Sequence, residues 1–212
     1  MDVVYILGSG SLANDEEILY SVRSLCKNML DLGNVYVVGE MPQHLPAVEH
    51  YFTDDPYPEK WRNAYHKISF ACSIPELSDE FLLMNDDFFM LAPFSGDDFA
   101  FYALKDSNGG SCGAHSFQVH CPIRICKEWW QKMPFDLKGK ACKSPRTFYA
   151  NFYGAPPTFI EDPVLRVGER VPDIYLQLRG KKFFSISDHA MLYFPFVDWL
   201  RSQYPSGCKF EI

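Results

Sequence analysis

The sequence predicts an α/β fold with a mostly parallel central sheet flanked by helices, and three observations predict it. Apolar runs and amphipathic stretches follow one another as strand, helix, strand over residues 3–39. The runs themselves, Val3-Val4-Tyr5-Ile6-Leu7 and Val35-Tyr36-Val37-Val38, are continuous, as strands covered on both faces must be. With 212 residues, 47% hydrophobic and 22% charged, the chain is long enough to bury one full core and still carry a cleft, so 1–212 reads as a single domain.

Each element has its own signal. The first strand runs into the loop Gly8-Ser9-Gly10-Ser11. A helix follows, with Asn14 or Asp15 expected as its cap, Glu16 and Glu17 at its positive end, Ile18, Val22, Leu25 and Met29 on one face, and Gly33 beyond its last turn. The second strand spans 34–39 and a third is expected over 48–52. After the loop Asp54-Asp55-Pro56-Tyr57-Pro58, residues 59–74 read helical, with Trp61, Ala64, Ile68 and Ala71 or Cys72 on one side. Phe81-Leu82-Leu83-Met84 is a short buried strand that runs into Asn85-Asp86-Asp87. Further on, the sequence predicts a strand over 99–104, a loop over 106–113, helices over 123–133 and 147–153, and a late strand over 182–186 closing in Ser187-Asp188-His189.

Composition excludes some function classes. No stretch approaches the roughly 18 uninterrupted apolar residues of a membrane span. The first residues, Met1-Asp2-Val3-Val4-Tyr5, lack the basic region of an export signal. Seven scattered cysteines, an odd number with no CxxC pair, suggest neither a disulfide framework nor a zinc site, and reduced thiols in cytoplasm are the expectation. A net charge of -7 disfavours polyanion binding through bulk electrostatics, although residues 138–146 form a local basic patch.

The acidic strand end carries the chemistry. Ligands of open α/β sheets bind in the crevice at the carboxyl ends of the strands, and two carboxylates delivered there are hard oxygen ligands for Mg2+ or Mn2+, which neutralise a nucleotide diphosphate. For an isolated Asp-Asp pair a turn cap beside a solvated acid is the commoner outcome. Here four apolar residues precede the pair and two phenylalanines follow, so at least one carboxylate is expected where burial must be offset by a cation or hydrogen bonds. Alternation along the strand sends Asp86 and Asp87 to opposite faces.

The blocks Asp2-Val3-Val4-Tyr5, Glu17 to Leu25, Val35 to Gly39 and Leu77 to Phe89, in this order and spacing, resemble the Stealth proteins, sugar-phosphate transferases whose fold is related to GT-A glycosyltransferases. The resemblance spans residues 2–91. Beyond it, His120-Cys121-Pro122 resembles the block holding the family's active-site histidine, Arg146 its basic residue, and Ser185-Ile186-Ser187-Asp188 its late Ser-Ile-Asn-Asp segment. The resemblance implies a GT-A-like, Rossmann-like domain in which 1–91 forms the nucleotide-sugar and metal half and 92–212 the acceptor half. It also implies a transferase with His120, Arg146 and Asp87 as catalytic residues and Asp86, Asp87 and Asp188 as ligands of Mg2+ or Mn2+. Donor-binding candidates are Gly8, Ser9, Gly10, Arg23, Lys60, Arg62, Asn63 and Asn85; His115, His189 and His66 stand behind His120.

A histidine can take a proton from an attacking hydroxyl, and an arginine can hold phosphoryl oxygens bidentately. The plainer alternatives are a histidine bonded to backbone, a surface arginine beside Lys138, Lys140 and Lys143, and helix-surface charge at 60–63. Where the family has Trp-Val-Asp-Gly this chain has Leu7-Gly8-Ser9-Gly10-Ser11, and its late block has one aspartate rather than two. These departures tilt the expectation from sugar-phosphate transfer to glycosyl transfer. The leading donor is a UDP-sugar and the acceptor a hydroxyl of a glycan, small molecule, protein or modified DNA base. A non-catalytic domain that binds nucleotide sugar is the expectation from a different class.

Overall fold

The computed structural model describes residues 1–8, 15–99, 101–104, 112–118, 120–134, 142–160, 163–165, 174–187 and 189–211. Ser9, Gly10, Asn14, Asp188, most of the 106–113 loop, and Lys138 and Lys140 lie outside the described residues.

Strands β1 (Asp2–Leu7), β2 (Val35–Gly39), β3 (Glu49–Tyr51) and β4 (Glu80–Met84) are parallel, and β7 (Ile123–Cys126) closes the sheet antiparallel to β4, giving the order β3-β2-β1-β4-β7. This is a mixed α/β architecture compatible with a Rossmann-like fold. The direction of strand addition reverses between β1 and β4, and such a switch point opens a crevice at the carboxyl ends of the strands.

Side-chain alternation explains the layering. Val3, Tyr5, Leu7, Val35, Val37, Leu82 and Met84 pack on one face with Ile18, Val22 and Leu25 of helix α1 (Glu16–Asn28). On the other face Val4, Tyr36, Val38, Phe81 and Leu83 pack with Tyr65, Ile68 and Ala71 of α2 (Lys60–Ala71) and with Tyr149 and Ala150 of α4 (Pro145–Tyr153). A third cluster gathers Phe89 of β5 (Phe88–Met90), Phe184 and Ile186 of β10 (Phe183–Ile186), and Phe196, Trp199 and Leu200 of α6 (Phe194–Gln203). There β10 pairs antiparallel with β5 and parallel with β9 (Val164–Leu165). A further pair joins β6 (Phe101–Leu104) to β8 (Pro157–Ile160). Helix α5 covers Ile174–Leu178.

Four expectations are corrected. The helix expected over 123–133 is strand β7 followed by the short helix α3 (Lys127–Lys132), because Ile123 and Ile125 alternate with Arg124 and Cys126 along a sheet edge. Helix α1 has no side-chain cap from Asp15, whose backbone is left-handed at φ 60. Gly33 lies four residues past the Met29 C-cap and serves another purpose: a Cβ there would stand 2.5 Å from Asp2 Oδ1. That carboxylate accepts from the Asn34 and Ser78 amides and the Ser78 hydroxyl, tying the amino ends of the sheet together. Finally, Cys112 and Cys142 are joined in a disulfide with Cα atoms 4.9 Å apart. Their separation of 30 residues left no local motif to read, and the bond removes the argument from reduced thiols for a cytoplasmic location. Among the described residues no helix is long and apolar enough to cross a membrane.

Candidate active site

The turn Asn85-Asp86-Asp87 leaves β4 at the switch point and enters β5, held by the Phe88 amide donating to the Asn85 carbonyl at 3.4 Å. Helix α1 fixes it from below. Ser21 Oγ donates to the Phe88 carbonyl at 2.6 Å and bonds Tyr5 Oη at 2.8 Å, and it lies 3.4 Å from the Asn85 carbonyl. One and two turns on, Ser24 Oγ accepts from the Met90 amide and Asn28 Nδ2 donates to the Met90 carbonyl. Three polar side chains of one helix face thus satisfy the backbone of β5 on the edge that β10 does not pair, in place of a second neighbouring strand. In the sequence they interrupt the apolar pattern without looking like a motif.

The two carboxylates have different surroundings. Asp86 lies toward Glu17 and Tyr5; burial first, then the charges of Asp87 and Glu17, push its carboxyl up to about 7. Asp87 faces the opposite group. Its Oδ2 is 3.2 Å from His120 Nδ1, while Oδ1 is buried with no hydrogen-bond partner among the described residues. Ser185 Oγ, wholly buried on β10, stands 3.3 Å from the same histidine nitrogen, and the Ile186 amide donates to the Asp87 carbonyl. His120 sits in the turn after Gln118, whose side-chain oxygen accepts the His120 amide at 3.1 Å.

Arg146 arrives from the first turn of α4, whose N-terminus is capped by Ser144 accepting from the Thr147 amide. Its Nη2 donates to the Met84 carbonyl at 3.0 Å, and its Nε is buried without a partner among the described residues. Burial lowers its pKa to about 10, partly offset by attraction to Asp87 and Asp86, so the guanidinium stays charged at neutral pH. An arginine that caps the strand carrying the acidic turn is no surface cation.

His120, Asp87, Asp86 and Arg146 are therefore brought together, with Asn85 contributing its carbonyl to the turn. Others are placed elsewhere. Arg23 forms a bidentate pair with Glu211, at 2.9 and 2.7 Å, and does not reach the acidic turn. Asn63 clamps both backbone groups of Tyr57, Arg62 pairs with Glu59 and lies 4.0 Å from the Tyr57 ring centroid, and Lys60 is exposed. His66 bonds Thr53, His115 packs edge-on against Phe117 and Phe159, and His189 is exposed before a short 3-10 turn.

At the carboxyl ends of β1 and β2, sequence reasoning missed Lys67. This buried lysine of α2 donates to the Leu7 carbonyl at 2.5 Å and pairs with Asp55 at 2.6 Å. Gly8 packs against that pair, since a Cβ there would lie 3.3 Å from Asp55 Oδ2. Gly39, at φ +121, admits no side chain because a Cβ would stand 2.0 Å from the Leu7 oxygen. Ser185 and Ser21 lie in blocks that carry the family resemblance, but the sequence assigned neither of them a role.

Among the described residues no three histidine, cysteine or acidic side chains form a ready cage for a metal. A Mg2+ site commonly takes only one or two carboxylates, its remaining ligands being water and substrate phosphate. The buried Asp87 Oδ1, unpartnered among the described residues, and the Asp86 carboxyl next to it in the turn fit that requirement. In comparisons with known proteins, no family model matches the chain and no curated protein matches it.

Proposed function

We propose that this chain is a metal-dependent, GT-A-like glycosyltransferase that moves a sugar from a nucleotide-sugar donor, a UDP-sugar first among them, to a hydroxyl acceptor. The observation that carries the reading is Asp87 at the sheet switch point, bonded to His120 through one carboxylate oxygen and holding the other buried and unpartnered among the described residues. The block-by-block resemblance to the Stealth proteins supports it.

A divalent cation on Asp86 and Asp87 would neutralise the donor diphosphate and stabilise charge on the leaving group. The chain's own residues do the rest. Asp87 orients the His120 ring, and a proton on Nδ1 leaves the Nε2 lone pair as the base for the acceptor hydroxyl. Ser185 Oγ meets the same Nδ1 and helps Asp87 hold that ring. Arg146 presents a cation to the phosphoryl oxygens from the wall formed by the end of β4. The acceptor oxygen bonds to the anomeric carbon, the carbon–oxygen bond to the diphosphate breaks, and the hydroxyl proton passes to His120.

The sugar-1-phosphate alternative uses the same groups, with attack at phosphorus. Incubation with Mg2+ or Mn2+, several nucleotide sugars and varied acceptors tests both readings. Release of a nucleoside diphosphate supports glycosyl transfer, and release of a monophosphate supports the alternative. A folded sample that turns over no nucleotide sugar with either metal sinks both.

A further inference from the structure

We infer that Cys26 and Cys208 are a dithiol pair placed to close into a second disulfide, pinning α1 to the 208–211 turn. Both are free and partly buried, and both pack against the apolar cluster beneath α1. Cys208 bonds through its amide to the Glu211 carboxylate that grips Arg23, and Cys26 lies between Arg23 and Lys27 on α1, so both cysteines stand at one junction of helix and turn. The backbone around them is set from both sides. The Glu211 amide donates to the Cys208 carbonyl, while Glu211 accepts from the Cys208 amide and holds Arg23, three residues before Cys26, in its bidentate grip. Arg23 Nη1 also donates to the Tyr204 carbonyl, Lys27 Nζ to the Gln203 carbonyl, and Lys209 Nζ to the Gly33 carbonyl. Five hydrogen bonds from three side chains thus hold the segment that carries Cys208 against the helix that carries Cys26 and the loop after it, without help from the sulfurs.

The chemistry is assigned by the surroundings. The neighbouring Cys208, aided by the Lys209 ammonium, lowers the Cys26 thiol against the opposing effect of burial, which makes Cys26 the attacking group. Its thiolate attacks one sulfur of a low-molecular-weight disulfide such as oxidised glutathione, and one glutathione thiolate leaves. Cys208 then gives its proton to solvent and attacks the Cys26 sulfur, expelling the second glutathione. Two protein thiols are oxidised and one glutathione disulfide is reduced to two thiols. The Cys112–Cys142 bond shows that this fold already accommodates one disulfide. The inference is independent of the transferase reading.

The test is to equilibrate the folded chain with oxidised glutathione, alkylate the remaining thiols, and map non-reduced tryptic peptides. Peptides 24–27 and 202–209 should appear joined, with the intact mass lower by two hydrogens. The wild type should gain roughly 5–10 °C in melting temperature on oxidation, a gain absent from Cys208→Ser and Cys26→Ser. Recovery of both cysteines alkylated, or each carrying its own glutathione, would overturn the inference, as would an equal gain in the serine variants.

Discussion

Asp87 carries the local account because its two oxygens have separate surroundings, one on His120 and one buried without a partner among the described residues. Asp87→Asn keeps the shape but offers His120 an amide, and it removes the anionic ligand; turnover of a nucleotide sugar should fall at least ~10³-fold while the fold persists, checked by kinetics and circular dichroism. Arg23 supplies a prediction of another kind. The Arg23 hydrogen bonds hold the Glu211 carboxyl at about 2, below its ordinary 4.5, and both side chains are largely buried. A depressed acid contributes stability that is complete above its ordinary value and disappears as pH falls toward the folded value. Glu211→Gln should therefore cost about 2–3 kcal/mol at pH 7, and that difference should vanish between pH 4.5 and pH 2 in denaturation curves of the two proteins. Neither the pair nor its purpose was legible in the sequence, where Arg23 stands 188 positions from Glu211.

At the scale of elements, α1 shows what periodicity reveals and conceals. Ile18, Val22 and Leu25 announce the buried stripe, and the strand, helix, strand opening follows from them. Ser21, Ser24 and Asn28 are equally buried, yet their function depends on the free edge of strand β5, which comes some 60 residues later. Ser24→Ala leaves the Met90 amide buried without its acceptor and should cost about 1–3 kcal/mol, read from urea midpoints, with Ser24→Thr largely restoring it. The antiparallel edge β7 was hidden for a different reason. Four residues of alternation run straight into a helical turn bearing Trp129 and Trp130, so a single window averages two periods. Strand β5 was concealed by composition, since Phe88-Phe89-Met90 is covered by α1, β10 and α6 and shows no alternation at all.

For the whole molecule, strand order places the acidic turn. With β1 beside both β2 and β4, the ends of β1 and β4 open a crevice that receives Asp86 and Asp87 from the sheet, His120 and Arg146 from the second half, and Ser185 from β10. The acidic turn itself was readable because charge at the end of an apolar run is a local signal; its partners from positions 120, 146 and 185 are tertiary. On the adjoining edge, the buried Lys67 ammonium needs Asp55 more than Asp55, a third exposed, needs Lys67. Asp55→Asn should consequently destabilise by about 3 kcal/mol and Lys67→Met by less, an order that thermal unfolding can check and that a surface ion pair would not produce.

The placement of a cation and a pyrophosphate beside Asp86 and Asp87 is tested most directly by titration calorimetry of UDP into the protein with and without Mn2+. Binding should require the metal and be lost in Asp87→Asn. Metal-independent binding, equal binding by the variant, or no heat with any nucleoside diphosphate would contradict it.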